Sequence, residues 1–168
     1  MFSSKGEITG PEGEKLNTEE FIRRGLCGSM LSLKSAKDVA YFQNIAVNES
    51  RLGIPLLFGY DVIHGCRIVF PENLGMAASW DIAAIEKSAQ IAAREAAALG
   101  VAWTFSPMCD VSTEPRWSRV SEGSGEDPYL GSKIVAAMVR GYQGNDLSDP
   151  NTILACVKHF AAYGAPQA

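Results

Sequence analysis

Ionisable side chains follow three of the apolar runs in the sequence. Asp61 and His64 come after LLFGY, Asp110 comes after TFSPMC, and Lys158 with His159 comes after ILACV. Where parallel strands close into a barrel, the loops at their carboxyl ends carry the active site. One such residue alone could simply form hydrogen bonds within the rim of the fold. The same arrangement after three separate runs indicates a functional site.

These residue types are compatible with three chemistries. Asp61 and His64 form an Asp-x-x-His pair, but no third metal ligand stands at a recognisable spacing and the chain has only two histidines. Lys158 could form a Schiff base, as in an aldolase, if burial kept its amine neutral. A sugar pocket needs carboxylates that accept hydrogen bonds, cations that donate them, and aromatics such as Trp117 to cover ring faces. The sequence favours the sugar pocket and implies no metal or other cofactor.

The order of the elements predicts an α/β fold built on a parallel sheet. Short apolar runs alternate with longer amphipathic runs, as in repeated strand-helix units. Strands are predicted at residues 27–33, 54–63, 101–111 and 153–160, with residues 1–4 as the tail of an earlier strand. Helices are predicted at 18–24, at 36–50 with Ser35 as N-cap, from Asp81 to a stop at Gly100, and at 130–142. The loops at 65–79 and 112–129 are dense in glycine, proline and charge and are expected to carry function.

Composition excludes several classes of partner. The net charge of -4 and the scattered lysines and arginines argue against nucleic acid. No apolar run approaches the roughly 20 residues that cross a bilayer, and the start of the sequence carries polar Ser3, Ser4 and Lys5 rather than an apolar signal core. The four cysteines stand about 40 residues apart, which matches no zinc-site spacing. We predict small buried thiols, and a disulfide pair stays open if the protein is exported.

Four motifs occur in order and together resemble family 3 of the glycoside hydrolases. They read IPLLFGYDVIHG, FPENLGMAASWD, FSPMCDVSTEPRWSRVSEGSGEDPYL and VKHFAAYG. The resemblance covers the chain from about Gly25 to its end and is strongest to the bacterial periplasmic β-glucosidase and β-xylosidase branch. It implies that residues 1–168 are an incomplete N-terminal domain, a partial TIM-type (β/α)8 barrel with about the first half of its strand-helix units.

The resemblance also implies a sugar-binding role for four residues. The aspartate of the family's YDxxHG motif corresponds to Asp61, the second arginine of its PRWGR motif to Arg119, and its Lys-His pair to Lys158 and His159. In the family these positions bind the terminal sugar in the −1 subsite. FAAYG follows the Lys-His pair here, instead of the FPGHG found in many members that act on N-acetylglucosamine, which favours a neutral hexose or pentose.

The long loop after the third strand departs from the family's pattern at two positions. Glu114 and Ser118 stand where the motif commonly has an aspartate and a glycine, so the resemblance predicts the loop conformation near Trp117 less firmly. Four further charged residues of this loop are expected to brace it through ion pairs rather than to bind sugar: Arg116, Glu122, Glu126 and Asp127.

Family members are retaining enzymes, whose two catalytic groups stand about 5 to 5.5 Å apart. The resemblance places the nucleophile and the acid/base beyond Ala168, so no catalytic residue is assigned in this chain. A complete barrel needs about 250 residues, and we therefore expect a fragment, truncated at both ends and inactive alone.

The expected function is a portion of a retaining β-glycosidase that hydrolyses terminal non-reducing β-D-glucosyl or related residues. Its partners would be a β-linked oligosaccharide or glucoside and the remainder of the same enzyme. The alternative is a noncatalytic sugar-binding or assembly module. Similar bacterial enzymes are often periplasmic, whereas four free thiols argue weakly for a reducing compartment, so the location stays open.

Overall fold

The computed structural model describes residues 2–3, 17–33, 35–160 and 163–164. Their elements, in chain order, are β1 Phe2–Ser3, α1 Thr18–Arg23, β2 Ser29–Leu31, α2 Ala36–Asn44 with a π-helical continuation Ile45–Glu49, β3 Leu57–Tyr60, α3 Asn73–Ala78, α4 Ile82–Ala98, β4 Trp103–Thr104, a 3-10 turn Val120–Glu122, and α5 Pro128–Gln143. The strands form one sheet in the order β1-β2-β3-β4. The chain therefore has the mixed α/β architecture that the sequence predicts.

The described residues fall into two compact units. The first lies within residues 1–60 and 98–103, and the second within 61–97 and 104–168.

The first unit is built on parallel pairing of β1 with β2 and of β2 with β3. Met30 of β2 pairs with Phe58 of β3, and both side chains are buried. They belong to an apolar core formed by Ile22, Met30, Leu33, Val39, Ile45, Ala46, Leu56 and Phe58. The central residues of both strands are buried in this core, which explains why such short runs form strands here.

The helix boundaries follow their capping residues. The Ser35 hydroxyl accepts the backbone N–H of Asp38 at 3.4 Å, and the Asp81 carboxylate accepts that of Ala84 at 2.9 Å. Gly100, just beyond α4, has φ +85°, and a Cβ there would lie 2.6 Å from Val39 Cγ1. The predicted N-caps and the glycine stop are confirmed, because these signals are local in sequence.

The strands predicted at 27–33, 54–63, 101–111 and 153–160 are all shorter than the sequence indicated, and the last two differ most. Only Trp103–Thr104 of residues 101–111 forms a strand, and residues 153–160 form bridge contacts but no strand. The two segments still run side by side, since Cys156 N donates to Ser106 O at 2.9 Å and Cys109 N donates to Lys158 O at 2.6 Å. Pro107 has no N–H to donate, so the ladder is interrupted at its centre. The continuous strands predicted at 101–111 and 153–160 are therefore wrong in extent.

The predicted loop at 65–79 contains a helix that the sequence analysis missed. α3 begins directly after Pro71 and Glu72 and ends at Ala78. Its first residue, Asn73, is buried and donates from Nδ2 to Glu122 O at 2.6 Å. The contact ties this helix to the 3-10 turn Val120–Glu122.

Within the described ranges, no helix is both long enough and apolar enough to cross a bilayer.

α4 and α5, both in the second unit, approach closely at Gly141. A Cβ at Gly141 would lie 2.5 Å from Ala89 Cβ and 2.5 Å from Glu86 O. Nearby, the Arg140 guanidinium pairs with the Glu86 carboxylate at 2.9 Å. The absence of a side chain at residue 141 is what allows the two helices to meet.

We predict that Gly141→Ala lowers the free energy of unfolding by about 1–3 kcal/mol, because the added methyl overpacks the contact with α4. Gly131→Ala is the matched control, since it lies in the same helix and its Cβ would meet only Ser124 Cβ at 3.9 Å. The control should be neutral or stabilising by up to about 1 kcal/mol, because alanine is the better helix former. Urea unfolding followed by circular dichroism measures both, and equal effects of the two variants would contradict the close approach.

Candidate functional site

Asp61 and Lys158 form an ion pair in the second unit. Asp61 is the first residue after β3, and Lys158 lies in the segment that runs beside residues 106–109. Lys158 Nζ is 3.3 Å from Asp61 Oδ1, with side chains 14% and 54% exposed respectively. The Lys158 backbone is held by Pro107 O, which accepts its N–H at 3.2 Å, and by Cys109 N, which donates to its carbonyl. A carboxylate open to solvent thus stands beside a largely covered ammonium.

Asp110 and His159 form a second pair. The Asp110 carboxylate, only 3% exposed, lies 3.0 Å from His159 Nδ1. It also accepts the backbone N–H of His159, at 3.2 and 3.3 Å to its two oxygens. The imidazole and its backbone are therefore held by one buried carboxylate.

Arg119 connects this pair to the long loop. Its Nε and Nη2 donate to the Glu122 carboxylate at 2.8 and 2.6 Å, a two-point contact. Its Nη1 lies 3.3 Å from His159 Nε2 and 3.3 Å from the Tyr163 hydroxyl, and Nη2 lies 3.6 Å from Met108 Sδ. A guanidinium has five N–H donors, so the partners present are enough to engage all of them.

The ion pair between Arg119 and Glu122 shifts the pKa of both groups. The hydrogen bonds from Arg119 lower the pKa of Glu122 below its ordinary value of 4.5. Those same bonds, with a smaller contribution from Tyr163, raise the pKa of Arg119. The guanidinium is thereby fixed as a cation in one orientation.

The structure brings all four predicted site residues together. Asp61 contacts Lys158, and Arg119 contacts His159, which follows Lys158 in the chain. Aromatic rings border this cluster, because Tyr163 packs edge-on against His159 with centroids 4.3 Å apart and against Trp117 at 5.2 Å. The arrangement offers acceptors, donors and ring faces within one cluster. The sugar-binding role of the four residues stays a prediction.

The comparisons with known proteins decide the family. The family model described as glycosyl hydrolase family 3 N terminal domain matches residues 13–168. The chain belongs to glycoside hydrolase family 3. A periplasmic β-glucosidase of Salmonella typhimurium is 44% identical over 156 residues, which are 93% of this chain and 20% of that protein.

Solved structures of the family agree. The crystal structure of a β-glucosidase from Listeria innocua in complex with isofagomine is 43% identical in sequence and has a TM-score of 0.85. The match covers 98% of this chain and 23% of the Listeria chain. A mutant of the Listeria enzyme in complex with laminaribiose is 41% identical with a TM-score of 0.83, over 98% of this chain and 24% of that one. This family 3 chain therefore spans about a fifth to a quarter of the relatives it matches.

The cluster includes three residues beyond the four predicted sugar-binding positions. Asp110 was noted as following an apolar run, but nothing local indicated that its partner is His159. Glu122 was expected to brace the loop through ion pairs, and its pairing with Arg119 confirms an ion pair while placing it against a site residue. Tyr163 gave no signal beyond its place in VKHFAAYG.

Arg116 and Asp127, two of the charged residues expected to brace the long loop, form local contacts. Arg116 pairs with Glu114, one of the two departures from the family motif, at 2.8 Å. Asp127 accepts the N–H groups of Tyr129 and Leu130 at 2.8 and 3.1 Å, so it is the N-cap of α5. The expected ion-pairing role of Asp127 is wrong, because its position before Pro128 makes it a helix cap.

The alternative chemistries gain no support from the geometry. His64 donates from Nδ1 to Phe70 O at 2.9 Å, and no group of three or more His, Cys, Asp or Glu in the described residues could hold a metal ion. An ion-paired Lys158 differs from the desolvated amine of a Schiff-base enzyme.

All four cysteines are free and partly exposed, so the prediction of buried thiols holds only in part. Burial raises the pKa of the thiols of Cys27, Cys66 and Cys109.

A buried tyrosine supports the backbone beside Asp61. The Tyr142 hydroxyl donates to Val62 O at 2.6 Å and lies 3.2 Å from Ser106 Oγ, while Val62 N donates to Thr104 Oγ1 at 3.1 Å. Burial raises the pKa of Tyr142 to about 12. The residue after Asp61 is thus fixed by hydrogen bonds on both its N–H and its carbonyl.

We predict that Tyr142→Phe destabilises the protein by about 1–3 kcal/mol, because it leaves a buried carbonyl without its donor. Tyr129→Phe is the control, since the Tyr129 side chain belongs to the same helix and the residue is 71% exposed. The control should change stability by less than about 0.5 kcal/mol. Denaturant unfolding at neutral pH measures both, and a neutral Tyr142→Phe would contradict the proposed support.

We predict a pH-dependent effect for Glu122→Gln. At pH 7 the substitution should cost about 1 kcal/mol, since it removes a charged, partly exposed partner of Arg119. A carboxyl whose folded pKa is lowered stabilises the fold above its unfolded pKa, and this stabilisation is lost as pH falls through the folded pKa. The difference between wild type and Glu122→Gln should therefore be constant above about pH 5.5 and shrink below pH 4.5.

The exposed Glu126→Gln is the control and should show no such trend. Thermal unfolding at several pH values between 3.5 and 7 provides the comparison. An unchanged difference down to pH 3.5 would contradict the lowered pKa.

Proposed function

We propose that the chain is a portion of a retaining β-glycosidase of the β-glucosidase type. Its second unit would supply part of the −1 subsite for a terminal, non-reducing β-D-glucosyl or related residue. The observation that carries the proposal is the single cluster formed by Asp61, Arg119, Lys158 and His159, the four positions that match the family's motifs. Complexes of the related Listeria enzyme with isofagomine and laminaribiose support a sugar ligand.

Asp61 and Lys158 suit a pair of neighbouring sugar hydroxyls. The Asp61 carboxylate accepts hydrogen bonds and is open to solvent, while the Lys158 ammonium has three donors, one of which points to Asp61. A hydroxyl group both donates and accepts, so it can bridge the two charges. Hydrogen bonds to ionised groups are about twice as strong as neutral ones, which favours a site of this kind for polyols.

Because the N–H groups of Arg119 already have partners, Arg119 could bind a sugar only if one N–H leaves its present partner or is shared with it. The Glu122 contact is short and two-pointed, whereas the Nη1 contacts to His159 and Tyr163 are longer, at 3.3 Å each. Nη1 is therefore the atom from which a sugar hydroxyl would accept a hydrogen bond. Glu122 would hold the guanidinium in place during that exchange.

Bond cleavage is assigned to the remainder of the enzyme. A retaining glycosidase needs a nucleophile and an acid/base about 5 to 5.5 Å apart, and we assign neither to this chain. The relatives extend far beyond the matched region, since it makes up about a fifth of the Salmonella protein. We infer that the missing partner is the rest of the same polypeptide, and that the parallel sheet belongs to the first half of a (β/α)8 barrel.

The name of the Salmonella relative supports a periplasmic location for the parent enzyme. We extend this to the present protein as part of the proposal.

We predict that the purified chain binds glucose and cellobiose weakly and does not hydrolyse aryl β-glucosides. A dissociation constant on the order of millimolar is expected from half a subsite, and Asp61→Ala should abolish binding because it removes the exposed carboxylate. Isothermal titration calorimetry measures the affinity. Asp38→Ala is the control, since Asp38 is exposed on α2 in the other unit.

Three outcomes separate the hypotheses. Millimolar binding that depends on Asp61 supports a partial subsite. Binding tighter than about 10 µM by the chain alone would instead indicate a self-contained sugar-binding module. Turnover by the pure chain would show that the catalytic groups are present here, and no heat with either sugar would count against the sugar site.

A further inference from the structure

We propose that Asp110 is a positioning residue that holds His159 as the tautomer with its proton on Nδ1. Nε2 of His159 then acts as a hydrogen-bond acceptor, toward Arg119 in the free protein and toward a sugar hydroxyl in the complex. The second half of this inference rests on the proposed function, whereas the tautomer itself does not.

The contact with Asp110 gives the first half of the argument. An ionised carboxylate only accepts hydrogen bonds, and Asp110 faces two donors from one residue, the backbone N–H of His159 and its ring Nδ1. At 3.0 Å from Oδ2, Nδ1 must carry the hydrogen that joins the two groups. A carboxylate bound to one ring nitrogen is a common way of fixing an imidazole tautomer.

The contact with Arg119 gives the second half independently. A guanidinium only donates, and its Nη1 lies 3.3 Å from His159 Nε2. If Nε2 carried a proton, two N–H groups would face each other and the contact with the cationic guanidinium would be repulsive. Nε2 must therefore be unprotonated and accept the hydrogen bond from Nη1. Groups on opposite edges of the ring thus require the same tautomer.

The tautomer has a consequence for Arg119. Glu122 fixes the guanidinium through Nε and Nη2, and His159 adds a contact to Nη1. Moving the histidine proton to Nε2 would replace this attraction by repulsion at 3.3 Å. Asp110 therefore acts on Arg119 through His159, although no contact joins Asp110 to Arg119 directly among those the structure shows.

The tautomer also defines what the ligand must offer. A hydroxyl that faces His159 Nε2 must donate its hydrogen, while a hydroxyl that faces the Lys158 ammonium must accept one. Fluorine in place of a hydroxyl can accept weakly but cannot donate. Fluorination should therefore be damaging at the sugar positions beside the two acceptors, Asp61 and His159, and only the position beside His159 should respond to a change of tautomer.

The first experiment determines the tautomer without any sugar. The chain has two histidines, so the ring nitrogens of His64 and His159 can be assigned in a ¹⁵N NMR spectrum with the help of a His64→Gln variant. At pH 7.5 we expect a protonated Nδ1 and an unprotonated Nε2 for His159. A protonated Nε2 in the wild-type chain would overturn the inference, whatever the variants do.

Asp110→Asn should reverse the tautomer preference of His159 with little change in side-chain shape. The asparagine oxygen can still accept the backbone N–H of His159, while its amide N–H₂ donates to Nδ1 and moves the ring proton to Nε2. In Ser-His-Asp catalytic triads, exchange of the aspartate for asparagine selects the wrong imidazole tautomer. Asp127→Asn is the matched control, because asparagine remains a good helix N-cap.

The second experiment tests recognition with glucose and its deoxyfluoro analogues. We expect Asp110→Asn to weaken glucose binding at least tenfold and Asp127→Asn to leave it unchanged. In wild type, fluorination at the position beside His159 should weaken binding at least tenfold. In Asp110→Asn, the ratio of the dissociation constant of that analogue to that of glucose should fall by at least fivefold, because Nε2–H now donates.

The outcomes distinguish the two proposals. Absence of glucose binding by wild type, with Nδ1 protonated, contradicts the proposed function and leaves the tautomer confirmed. Glucose binding with an unchanged fluorine profile in Asp110→Asn overturns the acceptor role of His159 alone. A tautomer that does not change in Asp110→Asn overturns the positioning role of Asp110.

Discussion

The candidate site depends on how residues 153–159 are held beside residues 106–109. Backbone hydrogen bonds from Cys156 to Ser106, from Lys158 to Pro107 and from Cys109 to Lys158 set this alignment. Because the alignment places Lys158 and His159 at fixed positions, one of them meets Asp61 and the other meets Asp110. A shift of one residue would exchange the directions of successive side chains and separate both pairs. Tyr142 and Thr104 add hydrogen bonds on Val62, next to Asp61.

The helices could be predicted from the sequence because their signals are local. Ser35, Asp81 and Gly100 mark their boundaries through capping and backbone conformation, which need no knowledge of the rest of the fold. Strand extent could not be predicted in the same way. Pro107 interrupts the ladder only because residues 153–160 lie beside it, and that neighbour is distant in the chain.

The same distinction applies to the site. Asp61, Lys158 and His159 could be selected because each follows an apolar run, and Arg119 because it matches a family motif. Their pairing could not be predicted, since Asp110 and His159 are 49 residues apart and Asp61 and Lys158 are 97 apart. The contact of Arg119 with Tyr163 likewise exists only in the folded chain. The sequence was enough to select these residues, but which of them pair with one another depends on the folded structure.

Saturation of the Arg119 donors has an energetic consequence. A ligand hydroxyl that takes over one N–H replaces an existing hydrogen bond with another of similar strength, so the net gain in affinity is small. A ligand with a misplaced hydroxyl still displaces the original partner but forms no hydrogen bond with the Arg119 N–H. The unpaired polar group then costs about 1–3 kcal/mol. In the proposed subsite, an arginine held in this way would contribute more to discriminating between stereoisomers of a sugar than to binding any one of them tightly.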